Sequence, residues 1–172
     1  MRQRALTGFT AMTMIVASAM AAAPAHAAGG VATVQASVVK PLILTWLQDL
    51  DLGTVTLGPG TWSNATVGIS RTGVFTCTNA NLICTGVTQV ASYNVSGTNN
   101  RTVLISAPNV TLANQANPTQ TLTLVVDNPG SVVLTNSGPP GTNFSIGGSV
   151  TLSSATASGT YAGSFNVTVD YQ

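Results

Sequence analysis

The sequence predicts an all-β protein: an antiparallel immunoglobulin-like or Greek-key β-sandwich of roughly ten short strands, preceded by a cleaved signal peptide. Three observations carry this. Gly159 to Gln172 alternates strictly, with Tyr161, Gly163, Phe165, Val167, Val169 and Tyr171 at odd positions and Thr160, Ala162, Ser164, Asn166, Thr168 and Asp170 between them. A strand gathers those large residues on one face, whereas a helix scatters them around its circumference. Turn signals also recur every few residues, and no window after the N-terminal segment sustains a helical apolar stripe beyond a turn or two.

The N-terminus reads as a targeting segment. Arg2 and Arg4 precede an apolar or small stretch from Ala5 to Ala23, and Ala25-His26-Ala27 offers small residues where a signal peptidase needs them. Cleavage after Ala27 divides the chain into a signal peptide, 1–27, and a single β-sandwich domain, 28–172. The mature chain keeps Lys40, Arg71 and Arg101 against Asp49, Asp51, Asp127 and Asp170, a formal charge of −1. It has no Glu, and its only His, His26, leaves with the signal peptide. No basic patch exists for phosphate contacts, which argues against nucleic-acid binding. No later apolar run is long enough to span a membrane as a helix. The expected location is secreted, in the periplasm or on the cell surface.

Val31 to Val39 alternates, with Ala32, Val34, Ala36 and Val38 on one side, and reads as a strand. Pro41 lacks the amide hydrogen a ladder needs and marks an edge or a strand start. Leu42 to Trp46 resumes an extended apolar pattern. Leu50 and Leu52 have the opposite parity to Val55 and Leu57, and Gly53 is placed to shift the phase. Gly58-Pro59-Gly60 is a turn. A weaker strand follows, with Val67 and Ile69 on one face.

Cys77 and Cys84 are the only cysteines. In an exported chain the pair is expected to be oxidised as a structural disulfide. Thr72 to Cys77 and Cys84 to Val95 read as the two arms of a hairpin around it. After the Gly97-Asn100 turn come strand patterns at Val103 and Ile105, at Val110 and Leu112, and at Leu122, Leu124 and Val126. Asp127-Asn-Pro-Gly130 and Ser137-Gly-Pro-Pro-Gly141 are breaks, with Val132 to Leu134 between them. Phe144, Ile146, Gly148, Val150 and Leu152 then alternate up to the terminal strand.

Little here can carry acid–base chemistry, which falls mostly to His or to tuned carboxylates and lysines. No catalytic residue, cofactor or metal site is expected. Asp49 and Asp51 share a strand face and could meet one sugar or one Ca²⁺, but a hard cation wants six or more oxygens, so two solvated charges is the simpler reading. Trp46, Trp62, Tyr93, Tyr161 and Tyr171 could stack on sugars, although aromatics at strand spacing more often serve a core.

Three stretches together, Gln48-Asp-Leu-Asp-Leu-Gly53, Phe144-Ser-Ile-Gly-Gly-Ser-Val-Thr-Leu152 and Gly159-Thr-Tyr-Ala-Gly-Ser-Phe-Asn-Val-Thr-Val-Asp-Tyr-Gln172, resemble the exported bacterial family called domain of unknown function 4402. The likeness covers nearly all of the mature chain and implies export from a Gram-negative bacterium. Leu52 stands where that family more often has Phe. The family carries no assigned activity.

More loosely, the C-terminal strand is similar to that of chaperone–usher pilus subunits and of spore-coat-U-like secreted pilins, with Tyr171 penultimate and Gly159 fourteenth from the end. That similarity implies a pilin-like subunit whose partners are other copies of itself and a periplasmic chaperone and usher. Ala32, Val34, Ala36 and Val38 would be donated to a neighbour, and Gly159, Tyr161, Phe165, Val167, Val169 and Tyr171 would line the receiving groove. The close-set cysteines depart from the wider spacing of those pilins. A monomeric adhesin binding carbohydrate through Trp62 or other exposed aromatics is the alternative.

Overall fold

A computed structural model describes residues 29–172. The expected signal peptide, with its expected cleavage residues Ala25 and Ala27, lies outside the described residues. The body of the fold is Ser37–Gln172.

All regular structure in that body is antiparallel strand. The elements are β1 (Ile43–Gln48), β2 (Thr54–Leu57), β3 (Ala65–Ile69), β4 (Phe75–Cys77), β5 (Leu82–Thr85), β6 (Ala91–Ser96), β7 (Thr102–Ser106), β8 (Val110–Asn114), β9 (Thr121–Asp127), β10 (Ser131–Val133), β11 (Thr142–Leu152), β12 (Tyr161–Ala162) and β13 (Thr168–Tyr171). One layer is an eight-stranded sheet ordered β1-β6-β11-β9-β8-β12, with β3 also on β11 and β4 on β3. The opposing layer comes in two pieces, the three-stranded β10-β7-β13 sheet and the β2-β5 ribbon.

The long strand β11 organises the core. Its first half pairs with β6, and its second half pairs with both β3 and β9. Its even residues face inward along the whole length, as the alternation predicts. Phe144 and Ile146 pack with Val95, Val103, Ile105 and Leu134, beneath β10-β7-β13. Val150 and Leu152 pack with Val67, Leu82 and Leu124, beneath β2-β5. Gly147 and Gly148 sit where the two halves meet. A Cβ on Gly147 would strike the Ile69 carbonyl and the Arg71 amide, and one on Gly148 would lie 2.9 Å from Leu124 Cδ1. The double glycine lets backbone press on one face and leucine on the other.

Gly53 adopts φ +72° and shifts the phase as expected. Leu50 and Leu52 before it, and Val55 and Leu57 after it, consequently all reach the second core cluster despite their opposite parities.

Three expectations need correction. Cys77 and Cys84 do not flank a hairpin: β4 pairs with β3 and β5 pairs with β2, so the intervening loop crosses between layers. Val31 to Val39 forms no strand, because no strand among the described residues takes up its backbone groups. The terminal segment, Tyr161 to Tyr171, is not one strand. β12 pairs with β8 in the large sheet, β13 pairs with β7 in the small one, and residues 163–167 cross between them. The crossing starts at Gly163, whose Cα lies so near β8 that a Cβ would come 2.9 Å from the Thr111 carbonyl oxygen. It delivers Phe165 to the seam, where that ring touches both core clusters. The alternation itself holds: Phe165, Val167, Val169 and Tyr171 face in, and the residues between them are exposed.

Candidate functional site

The small sheet has β10 and β13 as its two edge strands. Among the described residues, β13 has β7 on one side and no strand on the other. Next door, Val103 and Ile105 of β7 are 0% and 2% exposed. The inward residues of the terminal segment, Phe165, Val167, Val169 and Tyr171, pack against the same core but remain only half-buried. Burial is therefore complete over β7 and incomplete toward the free side of β13. An edge of this kind offers unsatisfied backbone groups to another strand.

Tyr171 is the polar tip in this apolar row. Its hydroxyl accepts the Thr98 amide at 2.7 Å and donates to the Lys40 carbonyl at 2.7 Å. The Lys40 amide in turn donates to Thr98 Oγ1 at 2.7 Å, and Lys40 Nζ donates to the Ser137 carbonyl at 2.9 Å. One residue group thus ties the last strand to the chain just before β1. A Cβ on Gly97 would meet the Tyr171 hydroxyl, Leu42 Cδ2 and Leu134 Cδ1, so the phenol fits only because residue 97 is glycine. A phenol at an inward position must find a partner when buried, and that signal was available in the sequence.

Gly159 and Tyr161 lie at the other end of the crossing. Gly159 has φ +150° and packs directly on the Asn114 side chain. Asn114, only 1% exposed, is the sole buried polar residue among the described residues. Its Nδ2 donates to Gln120 Oε1 at 2.9 Å and to the Ser158 carbonyl at 3.1 Å, while its Oδ1 accepts the Ala116 amide at 3.0 Å. The Tyr161 hydroxyl donates to the Ala157 carbonyl at 2.9 Å. Nothing in the strand pattern singles out Asn114, because its role depends on two loops distant in sequence.

The N-terminal segment is described by itself. Residues 29–36 carry no strand, Ala32 and Ala36 are exposed, and Val31 and Val34 are 100% and 91% exposed. Val38, within the body, is 91% exposed.

The remaining candidates resolve locally. Cys77 and Cys84 form the disulfide, with Cα atoms 6.4 Å apart. Asp51 caps its own turn by accepting the Gly53 amide at 2.8 Å, and Asp49 accepts the Trp46 indole at 3.1 Å. No group of three His, Cys, Asp or Glu side chains gathers to hold a metal ion among the described residues. Trp62 packs on the second core cluster and donates its indole N–H to the Gly58 carbonyl at 3.2 Å. Trp46 is the exposed indole, at 58%. It stands opposite Tyr93 on the inner face, and Tyr93 stacks on Phe144 with ring centroids 5.5 Å apart. Burial, and then the Asp49 carboxylate, push the Tyr93 phenol above its ordinary pKa.

Residues 42–171 match the family described as Domain of unknown function (DUF4402). The chain belongs to this family. No curated protein and no solved structure matches it. The DUF4402 region spans the body from the residue before β1 to the Tyr171 clamp and starts after the exposed N-terminal segment.

Proposed function

We propose that this protein is a secreted or cell-surface structural subunit of a Gram-negative bacterium, without catalytic activity, that assembles in a pilin-like manner by β-strand pairing. The observation that carries the reading is the free side of β13, with its half-buried inward row. An extended segment paired there would satisfy the edge and continue the cover over that row. Backbone hydrogen bonds supply affinity in such strand addition, and alternate side chains set the register.

The occupant is the segment before β1 from a second copy. Ala32, Val34, Ala36 and Val38 give it one small apolar face, and it is exposed in the single chain. The disulfide suits a protein folded outside the cytoplasm. A chaperone would guard the same edge before assembly.

Such subunits give a ladder of detergent-resistant oligomers on unboiled gels and filaments in sheared cell fractions. Deleting Ala28 to Val39 abolishes both and leaves a folded monomer. Polymer formed by the deleted chain would overturn the reading.

A second reading is favoured by Trp46 rather than by Trp62. Its indole is exposed, held by Asp49 and flanked by Tyr93. As a monomeric adhesin the protein would stack a sugar ring there, and Trp46→Ala would remove glycan-array binding while Trp62→Ala would cost stability. No glycan binding by the intact monomer would reject it.

A further inference from the structure

We propose that Tyr171 is a positioning residue that couples the two ends of the assembly reaction: it fixes the root of the N-terminal segment to the strand that receives a neighbour's segment. This inference rests on the assembly reading above and adds a link between its two surfaces.

The root is held at several points. The Tyr171 hydroxyl donates to the Lys40 carbonyl, the Lys40 amide reaches Thr98 Oγ1, and the Thr98 amide returns to the Tyr171 hydroxyl, each at 2.7 Å. These three bonds close a ring through three residues. Arg101, just before β7, donates to Ser37 Oγ at 2.8 Å, and Lys40 Nζ donates to the Ser137 carbonyl at 2.9 Å. Every bond made to the root itself falls on Ser37 or Lys40, shortly before the chain enters β1. Of the residues in that network, only Tyr171 belongs to the edge strand β13.

The consequence is thermodynamic. An edge strand frays readily, because one row of its backbone groups lacks partners. When β13 frays, Tyr171 withdraws and the root loses its ring of bonds. When a neighbour's segment pairs with β13, fraying is suppressed and the root is held. Two sites that bias one element are linked reciprocally, so the factor by which docking lowers the equilibrium population of the opened root equals the factor by which a held root favours docking. A subunit that has received a segment therefore presents its own in a fixed direction, and growth is favoured on subunits already in the polymer.

The test is amide exchange on the full mature chain, dilute enough to remain monomeric, with and without a synthetic peptide of residues 29–40. The Lys40 amide is the reporter, since it bonds Thr98 rather than Tyr171 itself. In Tyr171→Phe its exchange is expected to accelerate about tenfold or more while the global unfolding midpoint stays near wild type. Peptide is expected to slow Lys40 exchange in the wild type and not in the variant. Peptide affinity is expected to fall in the variant. Lys40 exchange unaltered by Tyr171→Phe, or unaltered by bound peptide in the wild type, overturns the coupling and leaves the assembly reading standing. Failure of the peptide to bind the wild type overturns both.

Discussion

Cys77 on β4 and Cys84 on β5 join strands of opposite layers, with their Cα atoms 6.4 Å apart. Each strand pairs elsewhere, β4 with β3 and β5 with β2. The bond is therefore the covalent link holding the β2-β5 ribbon over the second half of β11. That ribbon is one of the two pieces of the upper layer, and only two short strands hold it together.

Replacing both cysteines with serine is expected to destabilise the protein by about 2–3 kcal/mol, from the loop entropy of so short a closure. The loss should concentrate at the ribbon. Amides of residues 54–57 and 82–85 should exchange sooner than those of β6 and β7. Urea unfolding with exchange mapped by residue checks both.

Asn114→Ala should cost about 2 kcal/mol. It leaves the Gln120 side-chain oxygen, the Ser158 carbonyl and the Ala116 amide without their partner. Increased protease sensitivity at residues 115–120 and 157–160, together with a lower urea midpoint, is the expected result.

Phe165→Ala should cost about 2 kcal/mol, below the range for a fully buried phenylalanine because the ring is half-buried. Ile146→Ala, at a position with 0% exposure, should cost more. The order of the two unfolding midpoints checks the claim that the upper layer is open toward β13.

Asp127 accepts the Arg71 amide at 2.8 Å and the Arg71 guanidinium at 2.7 Å. These bonds, the amide first, hold its carboxyl below the ordinary carboxylate pKa. A lowered folded pKa stabilises the fold above the unfolded value of about 4, and that contribution is lost as pH falls through the folded value. Both side chains are substantially exposed, so the effect is under about 1 kcal/mol. Asp127→Asn should therefore lie below wild type at pH 7 and converge with it at acid pH in urea titrations.

Much of this was legible from alternation alone. The inward rows of β7, β9 and β11 follow period two, and Gly53 marks the phase shift that lets both parities into the core. Alternation states which face a residue takes and says nothing of which sheet it joins. Phe165 and Val169 keep the expected face although the chain changes sheets over residues 163–167. The cysteine arms failed for the same reason, since proximity in sequence suggested a hairpin and the two strands found partners elsewhere. The segment Val31 to Val39 has strand periodicity but no strand, because a pattern cannot supply the neighbour that a strand requires. Asn114 gave no local signal, as its partners come from two separate loops.

The most direct measurement is residue-resolved amide exchange of β13 in the mature chain, before and after adding the peptide of residues 29–40. New protection is expected along Val167 to Tyr171, with β12 unchanged. Protection confined to β1, β10 or the β2-β5 ribbon, or none anywhere, would contradict it.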